Sequence, residues 1–73
     1  MSPPGSDALI GATGIVTTTI PAAGLGEVRL SVRGGSESYG AYSANRGVPV
    51  PRGTRVTVTE VFPPRTLVVA ADG

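Results

Sequence analysis

The chain has no cysteine, histidine, tryptophan or lysine, and each absence removes a class of chemistry. Without cysteine there is no disulfide and no thiolate nucleophile. Without histidine there is no imidazole base and no Ser-His-Asp triad, and without either residue no zinc site of the usual kind. The lack of lysine removes the Ser-Lys dyad as well. Five carboxylates remain, Asp7, Glu27, Glu37, Glu60 and Asp72, each standing singly. Two of them lie near the chain ends, where fraying is expected, so a paired-carboxylate mechanism has little to draw on. The expectation is a protein that is not an enzyme, with no cofactor and no metal.

Charge and long apolar runs are also scarce. Six arginines against five acids give a formal net charge of +1, too balanced for the basic stripe that a nucleic-acid module presents to phosphate. The longest uninterrupted apolar run, residues 67–71, falls far short of the roughly 20 residues that span a bilayer. Residues 1–8 show neither the charged nor the apolar region of a signal peptide, and read as a disordered linker. The domain is expected over residues 9–71, with 72–73 as a tail. A chain of 73 residues holds one domain and buries only about 60% of its unfolded surface, which leaves a stability margin of a few kcal/mol.

What is present is β-branched residues, with 11 glycines and 7 prolines between them, a balance that favours strands. A first extended segment covers residues 9–20, with Ile10, Val16, Thr18 and Ile20 of one parity, and Gly11 and Gly14 are expected to bend it. Residues 27–33 alternate cleanly, Val28, Leu30 and Val32 against Glu27, Arg29, Ser31 and Arg33. Gly34-Gly35 then supplies the two positive-φ positions of a tight hairpin turn. The return strand, 36–44, places Tyr39 and Ala41 on one face and Tyr42 on the other unless Gly40 bulges. Gly47, Pro49, Pro51 and Gly53 exclude a regular helix from residues 45–53. Pro51-Arg52-Gly53 turns the chain into a fourth strand, 54–62, and Pro63-Pro64-Arg65 breaks it before a fifth, 66–71. Five short antiparallel strands with a glycine-bent first strand are the pattern of a small all-β Greek-key barrel, the OB-fold; an SH3-like barrel is the alternative.

Several features bear on function. Gly11-Ala12-Thr13-Gly14 lacks the GxGxxG spacing, a following helix and a P-loop lysine, and so reads as a bend rather than a nucleotide cradle. Arg29 and Arg33 project from the solvent face of the second strand and Arg55 from that of the fourth. In OB-folds the face of strands two and three is the usual ligand platform. Tyr42, if it points outward, is an aromatic anchor with a polar tip, suited to a protein contact. Arg29, Arg33, Tyr42 and Arg55 thus form the candidate interaction surface, while Gly11, Gly14, Gly34, Gly35 and Gly53 are assigned to bends and turns. Glu27 and Glu37 are expected to pair with the arginines across strands, and Phe62 to plug the barrel end. The alternative function is weak single-stranded nucleic-acid binding, with the arginines on phosphate and Tyr42 stacked on a base. The low charge and the small number of aromatics argue against it.

An ordered set of short motifs resembles the carboxy-terminal soluble domain of NfeD-like membrane proteins. These are Leu9-Ile10-Gly11-Ala12-Thr13-Gly14-Ile15-Val16, Ile20-Pro21, Gly26-Glu27-Val28, Tyr39-Gly40-Ala41, Val50-Pro51-Arg52-Gly53-Thr54-Arg55-Val56 and Leu67-Val68-Val69. The resemblance implies an OB-fold domain attached behind transmembrane segments that this chain lacks, membrane-associated in the parent protein and here a soluble piece, on the cytoplasmic side. It further implies partners of the stomatin, prohibitin or flotillin type, or self-association, and a link to membrane-protease regulation or membrane organisation. Longer members of that family carry a Ser-Lys protease domain, of which nothing appears in this sequence.

Overall fold

The computed structural model describes residues 9–32, 34–45, 47–63 and 65–72. The expected linker at 1–8, Arg33, Arg46, Pro64 and the terminal Gly73 lie outside the described residues. Five strands, β1 (Thr13–Thr18), β2 (Gly26–Val32), β3 (Gly35–Ser43), β4 (Arg55–Phe62) and β5 (Thr66–Ala71), close into a barrel in the order β1-β2-β3-β5-β4. This is the all-β barrel of the OB-fold class. Among the described residues no helix is long and apolar enough to cross a membrane.

The strands are not all antiparallel as the sequence suggests. β3 and β5 run parallel, from Gly40↔Thr66 to Ser43↔Val69, whereas the other four seams are antiparallel. Parity requires this: five strands in a closed ring cannot alternate direction at every seam, so one parallel pair must exist. The irregular segment after β3, together with β4, provides the long crossover that a parallel pair needs.

The core is built from alternate residues of every strand. Val16, Val28, Leu30, Ala41, Val56, Val58, Leu67 and Val69 are fully buried, joined by Tyr39, Ile20 and Val50. Ile20 and Val50 come from outside the named strands and form an isolated bridge, exchanging N–H···O bonds of 2.9 Å in both directions. Their bridge seals one end of the barrel.

Two bulges decide which side chains face in. In β1 the register against β2 slips between Val16 and Thr18, so the irregularity falls at Thr17 and not at Gly11 or Gly14. Thr18 is thereby turned to solvent while Val16 and Ile20 remain inside. The strand is also shorter than expected, since Leu9 to Ala12 form a turn closed by Ala12 N donating to Leu9 O at 3.0 Å, and Ile10 is exposed. In β4 the slip falls between Val58 and Glu60 and reverses the parity beyond it. Val61 therefore packs against the core, and Phe62, expected as a plug, is 51% exposed.

The glycines divide by role. Gly11 and Gly53 stand at positive φ in turns, as does Gly34 at +85°. The hairpin falls one residue earlier than expected, because Val32 pairs with Gly35 and Gly35, with φ of 159°, is extended enough to open β3. Gly14 is no bend. It lies in the regular part of β1, where a Cβ would stand 2.5 Å from the Arg29 carbonyl oxygen and 2.6 Å from Leu30 Cδ2. Its missing side chain is what lets β1 approach β2 so closely.

Candidate functional site

The structure divides the sequence-predicted surface between two faces. Arg29 of β2 stands opposite Ile15 of β1, and Ile15 stands opposite Arg55 of β4. The three side chains form one exposed row across β2-β1-β4, beside a shallow cavity of ≈ 310 Å³ that is also lined by Thr13, Thr17, Ser31 and Ser36. Arg33 lies outside the described residues. Tyr42 does point outward, 45% exposed, but it does not join that row. Its strand places Ser38 opposite Arg29, and Tyr42 lies four residues farther on, about 13 Å along β3.

Tyr42 belongs to a different surface, the outer face of β3-β5-β4. It stands opposite Val68, which in turn faces Glu60 of β4. With Phe62 and the Ala22-Ala23-Gly24 turn these residues line a groove of ≈ 580 Å³. The bulge in β4 is what brings Glu60 and Phe62 outward into it. Tyr42, Phe62 and Val68 make the wall apolar and aromatic, and among the described residues Glu60 is the single charged side chain in the lining. The valine alternation carries no sign of the β4 bulge, so the sequence pattern alone does not place Phe62 in this groove.

Among the described residues neither Glu27 nor Glu37 forms an ion pair with Arg29 or Arg55. Glu27 accepts a hydrogen bond from Thr17 Oγ1 at 3.1 Å, because the β1 bulge presents that hydroxyl to it. Glu37 accepts from the Tyr39 hydroxyl at 2.9 Å and lies 4.0 Å from Arg65 Nη2, the one ion pair among the described residues. Arg65 also donates to the Ser38 carbonyl oxygen at 3.2 Å and sets its guanidinium carbon 4.8 Å from the centre of the Tyr39 ring, a cation–π distance. This clasp ties the β4–β5 turn to β3. Burial, and after it the hydrogen bond and negative charge of Glu37, hold the Tyr39 phenol above its ordinary pKa, with Arg65 acting in the opposite sense. The spacing Glu37-x-Tyr39 signals two side chains on one strand face, but nothing in the sequence marks Arg65 as their partner.

Among the described residues no three acidic side chains gather into a metal-binding group. A closed barrel of five strands is the architecture of the OB-fold class. The sequence profile of the NfeD C-terminal domain matches residues 13–70, and the chain belongs to that family. It is similar in structure to the C-terminal domain of stomatin operon partner protein 1510-C from Pyrococcus horikoshii, with a TM-score of 0.70 and 27% identity over 97% of this chain and 98% of that one. It is also similar to the soluble domain of the NfeD protein YuaF from Bacillus subtilis, with a TM-score of 0.75 and 35% identity over 89% of this chain and 75% of that one. No curated protein matches the chain.

Proposed function

We propose that this domain is a protein-interaction module without catalytic activity, carried by a membrane-anchored NfeD-like protein. Its partner is a membrane scaffold protein of the stomatin, prohibitin or flotillin type, and through that partner it bears on membrane-protease activity or membrane organisation. The observation that carries the reading is the groove of Tyr42, Phe62 and Val68, which exposes two of the chain's three aromatic side chains together. Clustered exposed aromatics are the commonest anchors of protein interfaces, and a single one can contribute 2 kcal/mol or more, a rough figure. Support for the partner class comes from the relative described as a stomatin operon partner. Support for the membrane setting comes from the relative described as the soluble domain of an NfeD protein.

Closure of the barrel narrows the manner of binding. The sequence leaves open recognition along a sheet edge, but every one of the five strands has two neighbours, so no full edge offers its main chain for strand addition. Side chains on a face remain. The separation of Tyr42 from Arg29 along β3 favours this reading over single-stranded nucleic-acid binding, in which the arginines and Tyr42 would act on one surface. The test is crosslinking of the full-length protein in its native membrane. Tyr42→Ala combined with Phe62→Ala should abolish capture of the scaffold protein, and Arg29→Ala should leave it intact. Capture that is indifferent to the aromatic pair refutes the groove as the docking surface.

A further inference from the structure

The row opposite the groove is not used by this reading, and its chemistry is specific. Arg29 and Arg55 flank Ile15 in register, so their Cα atoms stand about two strand spacings, roughly 10 Å, apart. Guanidinium groups on such stems converge readily on one small anion. Both arginines line the ≈ 310 Å³ cavity together with Thr13, Ser31 and Ser36, and among the described residues no acidic side chain lines it. Among the described residues the neighbouring carboxylates are hydrogen-bonded: Glu27 accepts from Thr17 Oγ1, which takes that hydroxyl out of the receptor, and Asp72 accepts from Thr57 Oγ1 at 2.7 Å. Two cations and several hydroxyls around one cavity form a receptor for a phosphate oxyanion.

Ile15 selects among phosphates. It is 41% exposed at the centre of the row, where a soluble phosphate has no use for it and a phospholipid does, since glycerol and acyl carbon lie just beneath the headgroup. We infer that the β2-β1-β4 face is a contact surface for anionic phospholipid headgroups, with Arg29 and Arg55 on phosphate and Ile15 entering the interface. The inference rests on the reading that the domain is carried beside a membrane. It assigns the face turned to the bilayer, and β1 and β5, the centres of the two surfaces, are two strands apart, the largest separation a ring of five permits. The β3 and β5 walls of the groove are thus turned from the lipid, while β4 is common to both surfaces. Two arginines form a weak site on their own, but a tether raises the local lipid concentration enough for a weak contact to fix the domain's orientation.

The experiment is flotation of the 73-residue chain with excess vesicles of phosphatidylglycerol and phosphatidylcholine in equal parts at low salt. Each arginine near an anionic surface contributes about a fivefold preference, so Arg29→Gln with Arg55→Gln should lower the partition coefficient about 30-fold. Ile15→Ser should lower it about fivefold, Arg29→Lys should retain most of it, and Tyr42→Ser should leave it unchanged. Salt at several tenths molar should abolish binding. All these side chains are exposed, so the variants keep the fold. Equal binding to pure phosphatidylcholine, or no dependence on the arginines, overturns the inference. So does absence of vesicle binding, including the case where inorganic phosphate shifts the Arg29 and Arg55 signals and the site serves a soluble phosphate. Binding of a single-stranded oligonucleotide in preference to vesicles overturns it in favour of nucleic acid. None of these failures touches scaffold capture through Tyr42 and Phe62, so the two readings fall separately.

Discussion

Individual atoms set the tolerances of so small a barrel. At Gly14 a Cβ would meet the Arg29 carbonyl oxygen and Leu30, and the carbonyl is main chain that cannot rotate away. Gly14→Ala should therefore cost about 2 kcal/mol, a large part of the margin of a domain this size, and urea denaturation will show it. A loss below about 0.5 kcal/mol would mean that β1 and β2 can separate freely. Tyr39 makes a pH-dependent contribution. The folded chain holds its phenolic proton more tightly than the unfolded chain, so the stabilisation is complete below the ordinary tyrosine value of about 10 and is lost as pH rises through the raised value. Tyr39→Phe should cost about 1 kcal/mol near neutrality, and thermal melts of the two proteins should keep that gap up to about pH 10 and converge only above it. A constant gap refutes the Glu37 bond as its source. Of these residues, the sequence showed Tyr39 as core by its parity with Ala41. The clasp with Arg65 was invisible because it depends on a turn meeting a strand 27 positions away in the chain.

At the level of elements, the segments with the cleanest alternation were the most legible. β2 carries Val28 and Leu30 inward and Arg29 outward as its pattern states, and β5 has the bounds its β-branched run predicts. What the pattern could not show is where it skips. A bulge adds one residue without altering composition, so Thr17 and Thr59 look like ordinary strand threonines although Thr18 and residues 60–62 change face after them. Phe62 was misassigned for that reason alone. The irregular link between β3 and β4 was legible as non-helical from its prolines and glycines, but its place in the core was not. Val50 is 4% exposed and bonded to Ile20, so this link behaves as structure rather than as loop. The Ile20 and Val50 amides should exchange with solvent nearly as slowly as those of β2, and Val50→Ala should cost about 2 kcal/mol and speed the exchange of Ile20. Fast exchange at both amides in the unaltered chain would show the bridge to be open in solution.

For the molecule as a whole, fold class and family were readable, and the distribution of function around the barrel was not. Arg29, Arg55 and Tyr42 all point outward as their parity predicts, yet outward in a barrel means several directions, and only the ring order separates them. That order places the row of Arg29, Ile15 and Arg55 across β2-β1-β4 and the groove of Tyr42, Val68 and Phe62 across β3-β5-β4, with β4 common to both. The ring order also has a consequence in time. β1 meets β4 through Thr13↔Thr57 and β3 meets β5 through Gly40↔Thr66, so neither seam can form before most of the chain is available. Contacts of such long sequence separation slow folding because the intervening loop must be ordered first. The local β2–β3 hairpin can assemble early, while β1 has one side unpaired until β4 arrives. A nascent chain therefore carries an open strand for much of its synthesis, and Gly14, which adds no apolar side chain to that strand, keeps one position of the waiting surface bare.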